Sequence, residues 1–263
     1  MRPFAFLLVG AAAGAVALVA WAQEPPTRHI TAPQTGLDFT TPETRAIQED
    51  DFQNPGFLWV EEGERHWNVA EGTANKSCAT CHQDAAQTMR GVRARYPAFD
   101  AARQRVVTLE QRVNICREEH MGAPPLPVDS RPLNAMTAFI GNQSRGLPVN
   151  VDISGPARPF FDRGEAFYST RRGQLDMRCG SCHEDNYGRH LRADLLSQGM
   201  SNGFPTYRLK EQRLISLQFR LQGCVADVRG EPPPMGGEDL TNLEFYLAWR
   251  AQGLPVETPA VRR

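Results

Sequence analysis

The chain has 263 residues, of which 41% are hydrophobic and 22% are charged, and its formal net charge is −1. This composition is typical of a folded globular protein and excludes a disordered or fibrous chain. The near-neutral charge argues against nucleic acid as a partner, because a nucleic-acid-binding domain needs a basic face. The length is sufficient for one large domain or two ordinary ones.

The N-terminus has the pattern of a secretory signal. An apolar run follows Arg2, and residues 20–22, Ala-Trp-Ala, have the small-x-small form of a signal-peptidase site. We therefore predict a signal peptide over residues 1–22 and a periplasmic mature protein with no membrane span after cleavage. A retained anchor is the alternative, although the apolar run is short for a span of about 20 residues. The prolines that follow predict an extended N-terminal arm over 23–50.

Two short segments, 78–82 and 179–183, carry the pattern Cys-x-x-Cys-His. In c-type cytochromes the two cysteines form thioethers to the haem vinyl groups and the histidine binds the iron. A single Cys-x-x-Cys could be a redox pair or half of a zinc site, but two copies ending in histidine in an exported chain favour haem. We predict two covalently bound haem c groups, attached through Cys78, Cys81, Cys179 and Cys182, with His82 and His183 as iron ligands.

The two motifs belong to an internal repeat. Residues of the first half recur in the second at an offset of 101 near the haem motifs, 108 further on, and 107 at the end of each half. Gly-Leu-Pro-Val closes both halves, at 146–149 and 253–256, and the second half has seven extra residues within 185–205. The repeat predicts two similar structural units, each carrying one haem motif.

Helices dominate the predicted structure. An apolar stripe predicts a helix over about 206–222 that Gly223 ends, and a further helix over 240–252. Strand-like alternation is scarce. We therefore predict a mainly all-α fold of two tandem cytochrome c-like domains, the first over 51–150 with haem 1 and the second over 151–263 with haem 2.

Four cysteines are assigned to haem, which leaves Cys116 and Cys224. They could form a disulfide with each other or be buried thiols. Because they occupy equivalent positions in the repeat, we favour them as the sixth ligands of the two irons. Met235 competes for haem 2 but has no methionine at the matching position of the first half, which is Val128. Two histidines, His66 and His190, are predicted to lie at the surface.

Arg112 and Arg220 each precede a lone cysteine by four residues, which is one helical turn. Each guanidinium could pair with a haem propionate or bind an anionic substrate beside the sulfur. The charges nearby favour Cys224 as the reactive sulfur. Basic residues surround it in the sequence (Lys210, Arg213 and Arg229), whereas acids as well as arginines surround Cys116 (Glu110, Glu118 and Glu119).

Together these residues resemble the SoxA-type dihaem cytochromes c of periplasmic thiosulfate oxidation. The resemblance covers nearly the whole mature chain: both haem motifs, the lone Cys116, and Arg220-Leu-Gln-Gly-Cys224 followed by Arg229-Gly-Glu-Pro. It implies an L-cysteine S-thiosulfotransferase that works as a heterodimer with SoxX, a monohaem cytochrome c. Thiosulfate would be joined oxidatively to a cysteine of a sulfur-carrier protein, SoxYZ, and the electrons would leave through the partner's haem.

The resemblance also implies roles for single residues. Cys224 would be both the axial ligand of haem 2 and the catalytic residue, carried as a persulfide. Arg220 would bind the substrate anion, and Cys116 would ligate haem 1, remote from the chemistry. The main competing hypothesis is a dihaem electron-transfer cytochrome without sulfur chemistry, which Met235 as a ligand would favour. Two further hypotheses are a dihaem peroxidase and a haem subunit with only a scaffolding role.

Overall fold

The computed structural model describes residues 32–263 together with Met1 and Ile30. Apart from Met1, the predicted signal peptide lies outside the described residues. No helix within the described part of the chain is long and apolar enough to span a bilayer.

The described residues are mainly helical, which confirms the predicted fold class. The α-helices are α1 (Pro42–Glu49), α2 (Phe57–Asn68), α3 (Cys78–His82), α4 (Ala85–Thr88), α5 (Leu109–Cys116), α6 (Arg131–Asn142), α7 (Arg158–Ser169), α8 (Cys179–His183), α9 (Leu217–Asp227) and α10 (Glu238–Arg250). Short 3₁₀ segments occupy Gly36–Phe39, Arg93–Arg95 and Gly155–Ala157.

The strands are short and form three small sheets. They are β1 (Ala98–Asp100), β2 (Arg105–Val107), β3 (His190–Leu191), β4 (Asp194–Leu195), β5 (Thr206–Arg208), β6 (Arg213–Ile215) and β7 (Ala260–Arg262). Strands β1 and β2 form an antiparallel hairpin, as do β3 and β4. Strand β5 pairs antiparallel with β6 and parallel with β7.

The helices and hairpins recur in the same order in the two halves of the chain. In each half the first long helix packs against the last, α2 against α6 and α7 against α10. Both crossings depend on a glycine, Gly63 in α2 and Gly164 in α7. A Cβ atom would overlap the carbonyl oxygen of Ala135 at the first and of Asn242 at the second. Glycine at these two positions therefore lets the helix backbones touch.

Each half places its β-hairpin in the core of the other half. Tyr207 of β5 belongs to the core of the first half, where its ring lies edge-on to that of Trp59 with centroids 5.5 Å apart. Phe99 of β1 belongs to the core of the second half and lies 5.9 Å from Phe160. The exchanged residues are equivalent in the repeat: Phe99 with Tyr207, and Val106 with Leu214. The predicted boundary near 150 divides the repeat, but both cores contain residues from both halves.

The predicted helix over 206–222 is wrong in its first part. Residues 206–215 form the β5–β6 hairpin, which turns at Gln212 with a φ of 51°. Helix α9 begins only at Leu217, where the hydroxyl of Ser216 accepts a hydrogen bond from the N–H of Phe219. Two apolar residues of the predicted helical stripe, Leu209 and Leu214, pack against the core of the first half because the hairpin enters it.

The predicted end of that helix at Gly223 is also wrong. Helix α9 continues through Gly223 to Asp227. The left-handed residue that ends it is Arg229, with a φ of 57°. The N–H of Gly230 then donates to the carbonyl of Val225 at 3.0 Å, which is the wide bond of a Schellman motif.

Part of the predicted extended arm is helical. Residues 42–49 form α1, because the Thr41 hydroxyl accepts a hydrogen bond from the N–H of Thr44 and Pro42 fits the first helical turn. The helix is held against the C-terminal strand, where the N–H of Val261 donates to the side-chain oxygen of Gln48 at 2.9 Å. A proline that suggested extended chain thus begins a helix.

The segment after the lone cysteine is one residue longer in the first half than in the second. The repeat offset is 108 at Cys116 and Cys224 but 107 further along the chain. The first half takes up its extra residue in a π-helical turn, Arg117–Met121, directly after α5. A π-turn holds one more residue than an α-turn, so the chain returns to the same position in both halves.

Candidate functional site

Two one-turn helices present the Cys-x-x-Cys-His motifs. Helix α3 begins at a capping box in which Ser77 and Thr80 bond each other's backbone N–H groups. The loop before each motif docks on the end of the helix that carries the lone cysteine. Its glycine, Gly72 or Gly173, has a positive φ, and a Cβ there would overlap a carbonyl oxygen of that end. The fold therefore joins each haem motif to its own lone-cysteine helix.

Each lone cysteine lies beside the motif of its own half. Burial is the larger cause of the raised pKa of Cys78, about 11, and the charge of Cys116 is the second. Burial and then Cys224 likewise raise the pKa of Cys179 to about 11 and raise the pKa of Cys182. All six cysteines are unpaired, so Cys116 and Cys224 do not form the alternative disulfide. The structure thus brings together the cysteines that the sequence assigned to one site.

The proximal histidine of the second half is held by a loop. The ring Nδ1 of His183 lies 2.8 Å from the carbonyl oxygen of Ser197. Desolvation, and to a smaller extent the charges of Arg220 and Arg250, lower the pKa of His183 to about 4. A Cβ at Gly199 would stand 2.8 Å from the Cγ of the ring, so this glycine lies against the imidazole. The imidazole is therefore neutral and oriented, as an iron ligand must be.

The loop over His183 is the region with the seven extra residues, and it is anchored at both ends. The carboxylate of Glu184 binds Arg178 at 3.3 Å and also binds Arg250. The side-chain oxygen of Gln198 accepts a hydrogen bond from the N–H of Gln34 at 2.8 Å. The N-terminal segment therefore fastens this loop in place.

The first half has no comparable cover over its histidine. His82 is exposed, and its ring lies 5.8 Å from that of Trp67. In the described part of the chain its ring nitrogens have no hydrogen-bond partner. The sequence showed the extra residues of the second half but gave no sign that they would cover a ligand.

The second half contains buried polar atoms that suit a carboxylate-bearing cofactor. Within residues 32–263, the atoms without a hydrogen-bond partner include Tyr168 Oη, Ser169 Oγ, Arg172 Nη1 and Arg250 Nε. A haem bound through Cys179 would bring propionates that can satisfy such donors. The residues present therefore fit haem c.

The two equivalent arginines differ in their partners. The Nη2 of Arg112 lies 2.6 Å from Asp100 Oδ2, and its Nε donates to the hydroxyl of Tyr96 at 3.2 Å. Arg220 is half-buried, and none of the described carboxylates lies within ion-pair distance of it. Its charge reaches His183, which places it beside the second haem motif. Arg112 is thus already neutralised, whereas Arg220 is open to an anion.

Some of the other charges predicted around the two sulfurs are paired. Arg213 binds Asp129 at 2.7 Å and so contributes little free charge near Cys224. In the first half, Arg103 binds both Asp100 and Glu119. Among the described residues Lys210 and Arg229 form no ion pair, so of the three basic residues predicted around Cys224 only Arg213 is neutralised.

The approach to the two sulfurs also differs. Ile115, which precedes Cys116, is only 8% exposed. At the equivalent Gly223, an added Cβ would meet nothing closer than Arg220 Nη1 at 4.0 Å. Cys116 and Cys224 are themselves both partly exposed, so the difference lies in the neighbouring residue. Gly223 therefore leaves space beside Cys224, a role that the sequence pattern obscured because glycine also ends helices.

Three other residues were weighed in the sequence, Met235, His66 and His190. Met235 is in the loop before α10, where it packs partly buried against the core of the second half, as Cys179 does. His66 is on α2, partly exposed and 3.9 Å from Glu62. His190 is exposed on β3, which agrees with its predicted surface position.

Comparison with known proteins places this arrangement in a family. Residues 62–149 and 163–256 match the family model "SoxA/TsdA, cytochrome c domain". The chain is 47% identical to the L-cysteine S-thiosulfotransferase subunit SoxA of Pseudaminobacter salicylatoxidans, over 87% of this chain and 80% of the relative. It is 45% identical to the same subunit of Rhodovulum sulfidophilum, again over 87% of this chain and 80% of the relative.

A solved structure agrees with this match. The crystal structure of SoxXA from P. pantotrophus superimposes with a TM-score of 0.86 and 43% identity, covering 89% of each chain. The chain therefore belongs to the SoxA family of c-type cytochromes, and haem c is the cofactor for which its Cys-x-x-Cys-His motifs are built.

Proposed function

We propose that this chain is the catalytic dihaem subunit of a periplasmic L-cysteine S-thiosulfotransferase, with one haem c in each half. Its relatives of 45–47% identity are subunits of that enzyme, and a similar solved structure is a SoxXA complex. These names support a monohaem SoxX-type cytochrome as the partner. The transfer of a thiosulfo group to a cysteine, which is the activity in these names, fits thiosulfate as the donor, and a SoxYZ-type sulfur carrier is the protein that we propose as the acceptor.

One observation of this chain carries the proposal. The second half sets a partly exposed Cys224 one helical turn after Arg220, an arginine that is open to an anion. In the first half Arg112 is neutralised by Asp100. A dianion such as thiosulfate needs a cation beside an electron-rich sulfur, because the two would otherwise repel. Of the two halves, the second therefore offers this pair in an accessible position.

The reaction follows from these positions. Arg220 binds the oxygens of thiosulfate and holds its terminal sulfur near Cys224, which is carried as a persulfide. An S–S bond forms between the two sulfurs and two electrons are released. The thiolate of the carrier protein then attacks the thiosulfate sulfur and displaces the persulfide, which leaves Cys224 unchanged and an S-thiosulfonate on the carrier. Haem c, when bound, accepts electrons one at a time, so two haems suit a two-electron step.

Substitution of the two proposed residues tests this function. Cys224→Ala should abolish thiosulfate-dependent reduction of the partner cytochrome while both haems stay attached. Arg220→Gln should raise the KM for thiosulfate about tenfold or more, as expected for loss of a charge-assisted hydrogen bond. Lys210→Gln, which removes an exposed charge from the nearby hairpin turn, is the matched control and should leave KM nearly unchanged. Full turnover by Cys224→Ala with its haems bound would exclude the proposal.

Spectroscopy tests the haem ligands and separates this proposal from a plain electron carrier. Electron paramagnetic resonance of the oxidised protein should show thiolate-type low-spin signals from both haems, with Cys116 and Cys224 as ligands. A methionine-type signal at haem 2 would assign that position to Met235 and favour a dihaem electron-transfer cytochrome. N-terminal sequencing of the exported protein should begin at Gln23 if the signal is cleaved after Ala22.

A further inference from the structure

The two β-hairpins carry the same ion pair with opposite polarity. In the first half Asp100 binds Arg103 at 3.0 Å, and at the equivalent positions of the second half Arg208 binds Glu211 at 3.3 Å. Both pairs join residues three apart at the turn of the hairpin. The two turns match in detail, since Gln104 and Gln212 have φ values of 50° and 51°.

In the first half, the carboxylate of this pair also binds a second arginine. Asp100 also binds Arg112 at 2.6 Å, and its side chain is only 5% exposed. The hydroxyl of Tyr96, two residues before β1, accepts a further hydrogen bond from Arg112 at 3.2 Å. The hairpin therefore occupies the Nε and Nη2 donors of Arg112, which together form one bidentate edge of the guanidinium.

In the second half, both acceptors are absent. The residue equivalent to Tyr96 is Phe204, which has no hydroxyl, and the residue equivalent to Asp100 is Arg208. The alignment is secure because a proline follows both Tyr96 and Phe204 and the strands pair in the same register. The reversed polarity keeps the ion pair of the turn but removes the carboxylate that would hold Arg220.

We propose that Phe204 and Arg208 are specificity-determining positions that decide which half of the molecule accepts a small dianionic oxyanion of the thiosulfate class. They act through Arg220 by offering it no partner, so they are positioning residues and need not touch the substrate. Tyr96 and Asp100 close the first half to the same anion by occupying Arg112. The inference rests on the proposed function for the identity of the substrate, but the difference in arginine pairing does not.

Introducing the first-half residues at the equivalent positions of the second half tests this inference. The triple variant Phe204→Tyr/Arg208→Asp/Glu211→Arg rebuilds the first-half arrangement around Arg220. Its KM for thiosulfate should rise about tenfold or more, with a smaller change in kcat, because a charge-assisted hydrogen bond is lost to the anion. The control Arg208→Gln/Glu211→Gln removes the ion pair of the turn without adding a carboxylate, so its KM should stay near that of the wild type.

A chemical readout makes the test independent of turnover. Phenylglyoxal should modify Arg220 of the haem-loaded wild-type protein, and thiosulfate or sulfate should protect it, whereas Arg112 should react at least about tenfold more slowly. The triple variant should slow modification of Arg220. The reciprocal variant Tyr96→Phe/Asp100→Arg/Arg103→Glu should make Arg112 reactive.

Equal reactivity of the two arginines in the wild type would overturn the inference, as would an unchanged KM and unchanged reactivity in the triple variant. A wild-type protein that does not turn over thiosulfate would refute the proposed function instead. The modification rates would still decide whether the hairpin pairing controls anion access.

Discussion

The exchange of hairpins predicts that a cavity made by a residue of one half destabilises the other half. Leu214 lies on β6 of the second half but in the core of the first, and it is 1% exposed. Leu→Ala at a fully buried site costs about 2–5 kcal/mol. We expect the upper part of that range, because the carbonyl of Leu214 is held by the side chain of Asn134 on α6 at 3.2 Å, which keeps the backbone from closing the cavity.

Native-state hydrogen exchange of the haem-loaded protein measures where the stability is lost. A loss of about 4 kcal/mol corresponds to about a thousandfold faster exchange. In Leu214→Ala, amides of α2 and α6 in the first half should lose this protection. Leu191→Ala removes the same atoms from a side chain that is 54% exposed, and should change stability by less than about 0.5 kcal/mol. If the loss in Leu214→Ala were confined to α7 and α10, the cores would not be shared as described.

Three further substitutions test other parts of the structure. Burial, and then Glu110, raise the pKa of Glu244 from 4.5 to about 8. Unfolding therefore releases a proton between these pH values, and the free energy of unfolding should fall by about 1.4 kcal/mol per pH unit as pH rises from 5 to 8. Glu244→Gln should remove this slope in urea unfolding, and an equal slope in both proteins would contradict the assignment. Gly164→Ala should force α7 away from the carbonyl of Asn242 and lower stability by about 1–3 kcal/mol, measured as a lower Tm. Gln198→Ala should loosen the loop over His183 and change the paramagnetic resonance signal of haem 2 alone; an unchanged haem 2 signal would show that this anchor does not hold the ligand.

The haem-attachment motifs could be recognised in the sequence because their chemistry is encoded locally. Two thioether cysteines and a histidine must lie within one helical turn, so the motif fixes both the residue types and the helix that carries them. The lone cysteines followed from the repeat, since equivalent positions in two similar units meet equivalent surroundings. The last helix was also predicted closely, at 240–252 against Glu238–Arg250, because its apolar residues face one core within its own half.

The hairpins were not predictable by the same means. A helical stripe was predicted from Leu209, Leu214 and Ile215. Apolar periodicity indicates which residues are buried, but it does not show whether they lie on a strand or a helix. Here the burying surface belongs to the other half of the chain, so nothing local distinguishes a strand from a helix. The pairing of Arg112 was hidden for the same reason, since Asp100 is twelve residues away in sequence and reaches it only through the hairpin.

The exchanged hairpins obey an approximate twofold relation, in which Phe99 and Val106 of the first half have counterparts in Tyr207 and Leu214 of the second. The same set of contacts describes a symmetric dimer of two identical single-haem units, each lending its hairpin to its neighbour. In such a dimer, a change from aspartate to arginine at the hairpin would alter both active centres together. Fusion into one chain removes that constraint, because Asp100 and Arg208 are then encoded separately. One copy can keep its arginine paired while the other leaves its arginine free, so the two units can come to differ in how they bind an anion.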